Sequence, residues 1–265
     1  MEMMIKNYKV HNYSLSFSIK NKEINGITGN LAKDIEEIVF LKNEYDGKII
    51  INNEEIKSDE ILKYKKQISI IKDDFPNNYY NNNVYELMYY EIRRRRITLK
   101  DPTKKIINSL KIVGLNINII YKKINILSSS EKRLVKLAIG LLSNPDTIII
   151  EEPFKHMDKN NEKKLIMLFQ KMKEQYNKTI IFISDDIYML YKYTTHLIIS
   201  KKNKIIVEGK TNKIIENVDF LIKNKINIPT ITEITYLAKK NKDVKIEYHK
   251  DIRDIIKDIY KHVQR

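Results

Sequence analysis

The chain has 265 residues, enough to bury a full core in one main domain, and no cysteine, which excludes disulfides and thiolate metal sites. With 49 basic and 34 acidic side chains the formal charge is +15, but the excess of Lys, Ile, Asn and Tyr runs from end to end, so no nucleic-acid partner is expected from charge alone. No stretch reaches the ~18 to 20 consecutive apolar residues that span a bilayer, and Met1-Glu2-Met3-Met4-Ile5 lacks the layout of a signal peptide. The chain is expected to stay in the cytoplasm, where positive charge would favour the anionic cytoplasmic face of a membrane.

Strands open the chain and lead to Asn25-Gly26-Ile27-Thr28-Gly29-Asn30-Leu31-Ala32-Lys33-Asp34-Ile35, which lies before a helix expected over 35–39. Further strands are expected at 48–52 and 68–71, and the polar run Asn77-Asn78-Tyr79-Tyr80-Asn81-Asn82-Asn83 reads as a loop. A helix over 84–90 then begins a helical insertion at about 84–144. Arg93-Arg94-Arg95-Arg96 follows that helix as a solvated, phosphate-facing or partner-facing patch.

The richest stretch runs from Leu127 to Asp158. Leu127-Ser128-Ser129-Ser130-Glu131 opens a helix whose periodic positions are Leu134, Leu137, Ala138, Leu141 and Leu142. The amides at its start carry the positive end of the helix dipole, ready for an anion. Thr147-Ile148-Ile149-Ile150-Glu151-Glu152, set between Pro145 and Pro153, is too short for a helix and reads as a strand buried on both faces. Open α/β sheets bind ligands at the carboxyl edge where its two acids emerge. A carboxylate there can hold magnesium through water while its neighbour orients an attacking water. Each piece alone also describes an ordinary buried strand or capped helix; their order carries the functional reading. From Thr147 to Val207 strands and helices alternate, which predicts an α/β fold: a mixed sheet with a parallel core flanked by helices.

In that order, residues 127–158 resemble the signature motif, Walker B strand and D-loop of an ATP-binding-cassette (ABC) ATPase, a P-loop NTPase fold. The resemblance implies ATP and magnesium as cofactors and gives Ser128 as the signature serine, Glu151 as the magnesium-holding acid, Glu152 as the catalytic glutamate and Asp158 as the D-loop aspartate. Thr179-Ile180-Ile181-Phe182-Ile183-Ser184-Asp185-Asp186 resembles the next strand and the switch loop, with Asp185 where the family carries histidine. The segments from Tyr193 to Ile199 and from Lys204 to Gly209 resemble the last two strands.

The tail, with Leu221-Ile222 and Ile228-Pro229-Thr230-Ile231-Thr232-Glu233-Ile234-Thr235-Tyr236-Leu237-Ala238, is similar to the extension of the ATPases of energy-coupling factor (ECF) transporters. This divides the chain into an ATPase domain over 1–215 and an extension over 216–265. Ile252, Ile255, Ile256, Ile259 and Val263 form one helical stripe, which either meets a second ATPase subunit or packs on its own domain.

The amino-terminal half departs from the family pattern. A glycine-rich loop ending in Gly-Lys-Ser or Gly-Lys-Thr should wrap the phosphates and offer magnesium a hydroxyl. Here Gly29 and Lys33 match that motif, Asn30 lies between them, the loop is two residues short, and Asp34 replaces the hydroxyl residue. A carboxylate at 34 would repel phosphates. Asp73, or Lys72 with a one-residue shift, stands at the Q-loop glutamine; Ser129 and Ser130 stand at the signature glycines, and Glu131 at a glutamine. Tyr8 and Tyr13 are both candidates to stack on adenine, and both read equally as strand residues.

In the family, two cassettes pair head to tail, and each ATP lies between one chain's Walker motifs and the other's signature. The losses fall most heavily on this chain's own site, while Ser128 and Asp158, which serve a partner's ATP, remain. The expectation is an ECF-type importer subunit for a small solute, the degenerate half of an asymmetric ATPase pair seated on an integral membrane subunit. A hydrolysing subunit, a non-hydrolysing scaffold and a soluble ABC-type regulator are the alternatives.

Overall fold

Short isoleucine runs build the centre of the molecule, which is described as a computed structural model over residues 2–10, 13–41, 46–57, 59–242 and 246–263. Strands β1 (Met3–Val10) and β2 (Tyr13–Ile19) form a hairpin, followed by β3 (Ile24–Gly29) and α1 (Ala32–Val39). Next come β4 (Lys48–Ile51), β5 (Glu54–Glu55), α2 (Ile61–Lys65) and β6 (Ile68–Ile71). The helical insertion holds α3 (Val84–Arg94), α4 (Pro102–Ile112) and α5 (Ser129–Gly140). The chain then alternates through β7 (Thr147–Glu151), α6 (Lys159–Tyr176), β8 (Thr179–Ile183), α7 (Ile187–Tyr193), β9 (His196–Lys201) and β10 (Lys204–Lys210). Four helices close it: α8 (Thr211–Ile215), α9 (Val218–Lys223), α10 (Thr230–Lys242) and α11 (Ile252–Val263).

The main sheet has the order β10-β9-β3-β8-β7-β6, parallel throughout except for β10, which runs antiparallel to β9 at one edge. This is the mixed sheet with a parallel core that the alternation predicts. A second, antiparallel sheet has the order β2-β1-β4-β5. Side chains on the central strands divide by parity, as the period of two requires. Ile148, Ile150, Ile180 and Phe182 pack with the insertion, α6 and α7, whereas Ile149, Ile181 and Ile183 pack with α1 and the antiparallel sheet. Both faces of β7 and β8 are therefore covered, which explains why these strands read as continuous apolar runs.

The helix expected over 84–90 extends to Arg94, so Arg93 and Arg94 lie in its last turn instead of following it. Asn83 and Glu86 cap its start reciprocally. The arginines close on an acid: Glu91, 2% exposed, accepts from Arg94 Nε at 2.9 Å and Nη2 at 2.8 Å, from Arg95 Nε at 3.0 Å and from the Tyr79 hydroxyl at 2.7 Å. In the tail stripe, Ile255 is buried while Ile252, Ile256 and Ile259 are exposed; the side chain of Val263 lies outside the described residues. Among the described residues no helix is long and apolar enough to cross a membrane.

Candidate functional site

Parallel strands deliver their carboxyl ends to one edge, which gathers the end of β3, the acids after β7 and the turn after β8. At β3 the chain passes into α1 through Asn30 and Leu31 alone. Gly29 makes this turn at φ +100°, and a Cβ there would lie 1.9 Å from the Ser200 carbonyl oxygen, so only glycine fits against β9. The Leu31 amide donates to Ser200 Oγ at 2.9 Å, and its side chain is buried with α1 and the antiparallel sheet. An amide that a longer loop would aim at phosphate is thus spent on the neighbouring strand. Lys33 is exposed on α1, and Asp34 accepts from the Tyr13 hydroxyl at 3.2 Å. Burial, then the Asp34 charge, raise the Tyr13 pKa. Tyr8, the other aromatic candidate, is buried within the antiparallel sheet.

At the end of β7, Glu151 accepts from the Lys72 ammonium at 3.0 Å through Oε1 and from the Asp73 amide at 3.0 Å through Oε2. Lys72 also bonds Glu36, an α1 side chain that is 2% exposed. Burial, then the neighbouring Glu151, push the Glu36 carboxyl up to about 7, with Lys72 opposing. Burial would lower the Lys72 pKa, but hydrogen bonds to both acids hold it above its usual value. Magnesium is poorly served by this set: the acid that would hold it is occupied by an ammonium and an amide, and position 34 has no hydroxyl.

Glu152 follows with φ +43°, a left-handed conformation unusual for a side chain of this size. Its carboxylate accepts from Ser184 Oγ at 2.8 Å and from the Asp185 amide at 3.2 Å, so it is folded onto the end of β8. The Asp185 carboxylate is exposed and shares a cavity of about 440 Å³ with Gly29 and Asn30. Glu152 lines a different cavity, of about 380 Å³, with Lys155 and Lys192.

Asp73 faces the insertion. Its carboxylate takes Arg133 Nη2 at 2.8 Å and Lys155 Nζ at 2.6 Å, and its carbonyl accepts from Lys136. Burial would raise its pKa; these cations hold it below the usual value. Arg133, 5% exposed on α5, also donates to the carbonyls of Glu151, at 3.0 Å, and of Glu152. The sequence reading missed Arg133 and Glu36. Both left a signal: Arg133 precedes Leu137 and Leu141 at steps of four, and Glu36 precedes Val39 by three, so each charge sits at a core spacing and needs a buried partner.

The serines lie on a separate surface. Ser128 and Glu131 cap α5 reciprocally, at 3.2 and 2.9 Å, and Ser129 is exposed in the first turn. Asp158 caps α6, accepting from the amides of Asn160 and Asn161 at 2.9 Å each. Ser130 Oγ donates to the His156 carbonyl at 3.5 Å, which brings the two helix starts together.

The ABC transporter family model matches residues 35–155, and the central parallel sheet with a helical insertion between β6 and β7 is the fold of solved cassettes. The fold is that of an ABC-type ATP-binding cassette. The structure of cbiO1 from Clostridium perfringens, described as part of the ABC transporter complex cbiONQ, superposes with a TM-score of 0.70 at 20% identity, over 88% of this chain and 98% of that one. The dimeric cassette MJ0796 bound to ADP and Pi gives 0.64 at 20% identity, over 79% and 98%. At these identities the likeness concerns the fold. In sequence, the ECF transporter ATP-binding protein EcfA2 of Acetivibrio thermocellus is 24% identical over 246 residues, 91% of this cassette and 86% of that protein. EcfA1 of Staphylococcus aureus is 25% identical over 219 residues, 81% of each chain. ATP and magnesium are what the ABC ATPase family uses.

Proposed function

We propose that this cassette is a subunit of an ECF-type importer and the non-hydrolysing half of an asymmetric pair, completing the nucleotide site of an intact ATPase partner on a membrane subunit. The similarity to EcfA1 and EcfA2 proteins supports the transporter class. The observation that carries the asymmetric reading is the contrast between the two surfaces. The cassette's own phosphate turn is reduced to Asn30 and Leu31 and tied to Ser200, whereas the amide-rich starts of α5 and α6 stand exposed with Ser128 and Asp158 as their caps. In this role Ser128 to Ser130 meet the partner's nucleotide and Asp158 meets the partner's loop. Glu152 and Asp185 stay with the cassette's own impaired site, beside Gly29, Asn30, Lys33 and Asp34. The transported solute is a small molecule bound by another subunit.

The test is ATP turnover by the assembled complex. Ser129→Arg, placed in the exposed first turn so that the Ser128 cap is kept, and Asp158→Ala should both lower turnover, whereas Glu152→Gln should leave it within about twofold. Loss of a working catalytic acid costs about 10²-fold or more. A loss of that size from Glu152→Gln would show that this chain hydrolyses ATP itself and refute the proposal.

A further inference from the structure

Glu36 and Glu151 approach each other from different elements, one inside α1 and one at the end of β7, and the same ammonium bonds both. Its position is fixed by the sheet. β6 pairs with β7 in register, Ile71 opposite Ile150, so the residue after Ile71 emerges beside the residue after Ile150. The Asp73 amide then takes the second Glu151 oxygen. Glu36 Oε2 is buried with no hydrogen-bond partner among the described residues. Two carboxylates brought together in a partly buried site repel unless one takes a proton or a cation lies between them, and here the chain supplies a cation itself.

We infer that the Lys72 ammonium is a built-in replacement for the divalent ion at Glu151, so that this cassette folds and holds its Walker B acid without magnesium and does not admit the metal there. The chemistry favours the exchange. Magnesium needs near-octahedral oxygen ligands, usually one or two carboxylates completed by substrate phosphates. This site has neither a phosphate loop nor a hydroxyl at position 34, so too few ligands remain. An ammonium is a point charge on a flexible stem with three donors and no coordination geometry to satisfy. Removing it would leave two carboxylates, one of them with an orphaned oxygen, a pair that a divalent cation could then occupy. The inference rests on the chain's own residues and holds whether or not the cassette pairs with an intact ATPase.

The experiment uses the isolated full chain and the metal alone. Thermal unfolding is followed with and without Mg²⁺, and Mn²⁺ binding is read from the loss of the free-ion resonance in electron paramagnetic spectra. The wild type should show no metal-dependent rise in Tm and leave the Mn²⁺ signal unchanged. Lys72→Met should unfold at lower temperature, recover part of the loss in Mg²⁺, and take up Mn²⁺. The Lys72→Met/Glu36→Gln double variant should regain stability without metal and lose the Mn²⁺ response. Stoichiometric Mn²⁺ uptake or a Mg²⁺-dependent Tm in the wild type would overturn the inference, as would a Lys72→Met chain as stable as wild type in metal-free buffer. Should Lys72→Met not fold, the wild-type measurement and the double variant decide.

Discussion

Arg133→Ala tests whether one buried guanidinium holds the helical insertion to the sheet. The side chain is 5% exposed and serves three acceptors, the Asp73 carboxylate and the carbonyls of Glu151 and Glu152. Removing one partner of a buried pair costs about 3–5 kcal/mol, because the other is left in a site built for a charge. Lys155 stays on Asp73, which is partly exposed, so the lower end, about 3 kcal/mol, is the expected loss. With a urea slope of about 1–3 kcal/mol/M, the unfolding midpoint should fall by roughly 1 M or more. Arg133→Lys keeps the charge but loses the planar fork that reaches several acceptors, and should fall between wild type and alanine. A cycle with Asp73→Asn should return a coupling of about 1–3 kcal/mol, as expected for groups in direct contact. A loss under about 1 kcal/mol for Arg133→Ala, or additivity with Asp73→Asn, would refute the reasoning.

Two further outcomes follow from the packing. Burial alone would raise the Glu91 pKa, but the bonds from Arg94 and Tyr79 carry it below its usual value, so its stabilisation is complete above the unfolded-state value near 4.5 and is lost as pH falls through the lower folded value. In denaturation midpoints taken down the pH scale, the gap between wild type and Glu91→Gln should be constant near neutrality and close in acid; a gap independent of pH would rule this out. Gly29→Ala combines left-handed strain with a methyl pressed on the Ser200 carbonyl, and should cost about 3 kcal/mol or more. A soluble variant with an unchanged midpoint would contradict the account of that turn.

The strands were legible because burial on both faces forces apolar continuity: Ile148 to Ile150 and Ile180 to Phe182 read as strands without any partner in view. The close spacing of Gly29 and Lys33 was plain in the sequence, and the structure passes from β3 to α1 within it through Asn30 and Leu31. Asp73 and Lys72 were not separable in sequence. A one-residue shift exchanges which of them faces β7, and only the pairing of Ile71 with Ile150 fixes it. The arginine tetrad read as surface because four charges in a row look solvated, and Arg93, Arg94 and Arg96 are exposed; the pairing of Arg94 and Arg95 with Glu91, two residues upstream of Arg93, was not visible in that run. The left-handed backbone at Glu152 had no sequence mark at all; its amide donates to the Ile183 carbonyl at 2.8 Å, a contact across strands that the sequence does not announce.

Leu31 is both the turn and part of the core: its amide is held by Ser200, and its side chain is sealed among the apolar residues beneath α1. Any insertion that lengthened this turn to the reach of a phosphate loop would drag a core side chain out of register with its cavity, and filling that cavity again would require compensating changes elsewhere in the packing. The change is a ratchet. Point substitutions can place a hydroxyl at 34, but none adds chain length, so a lineage that had folded its phosphate turn into the hydrophobic interior would find the way back closed one step at a time.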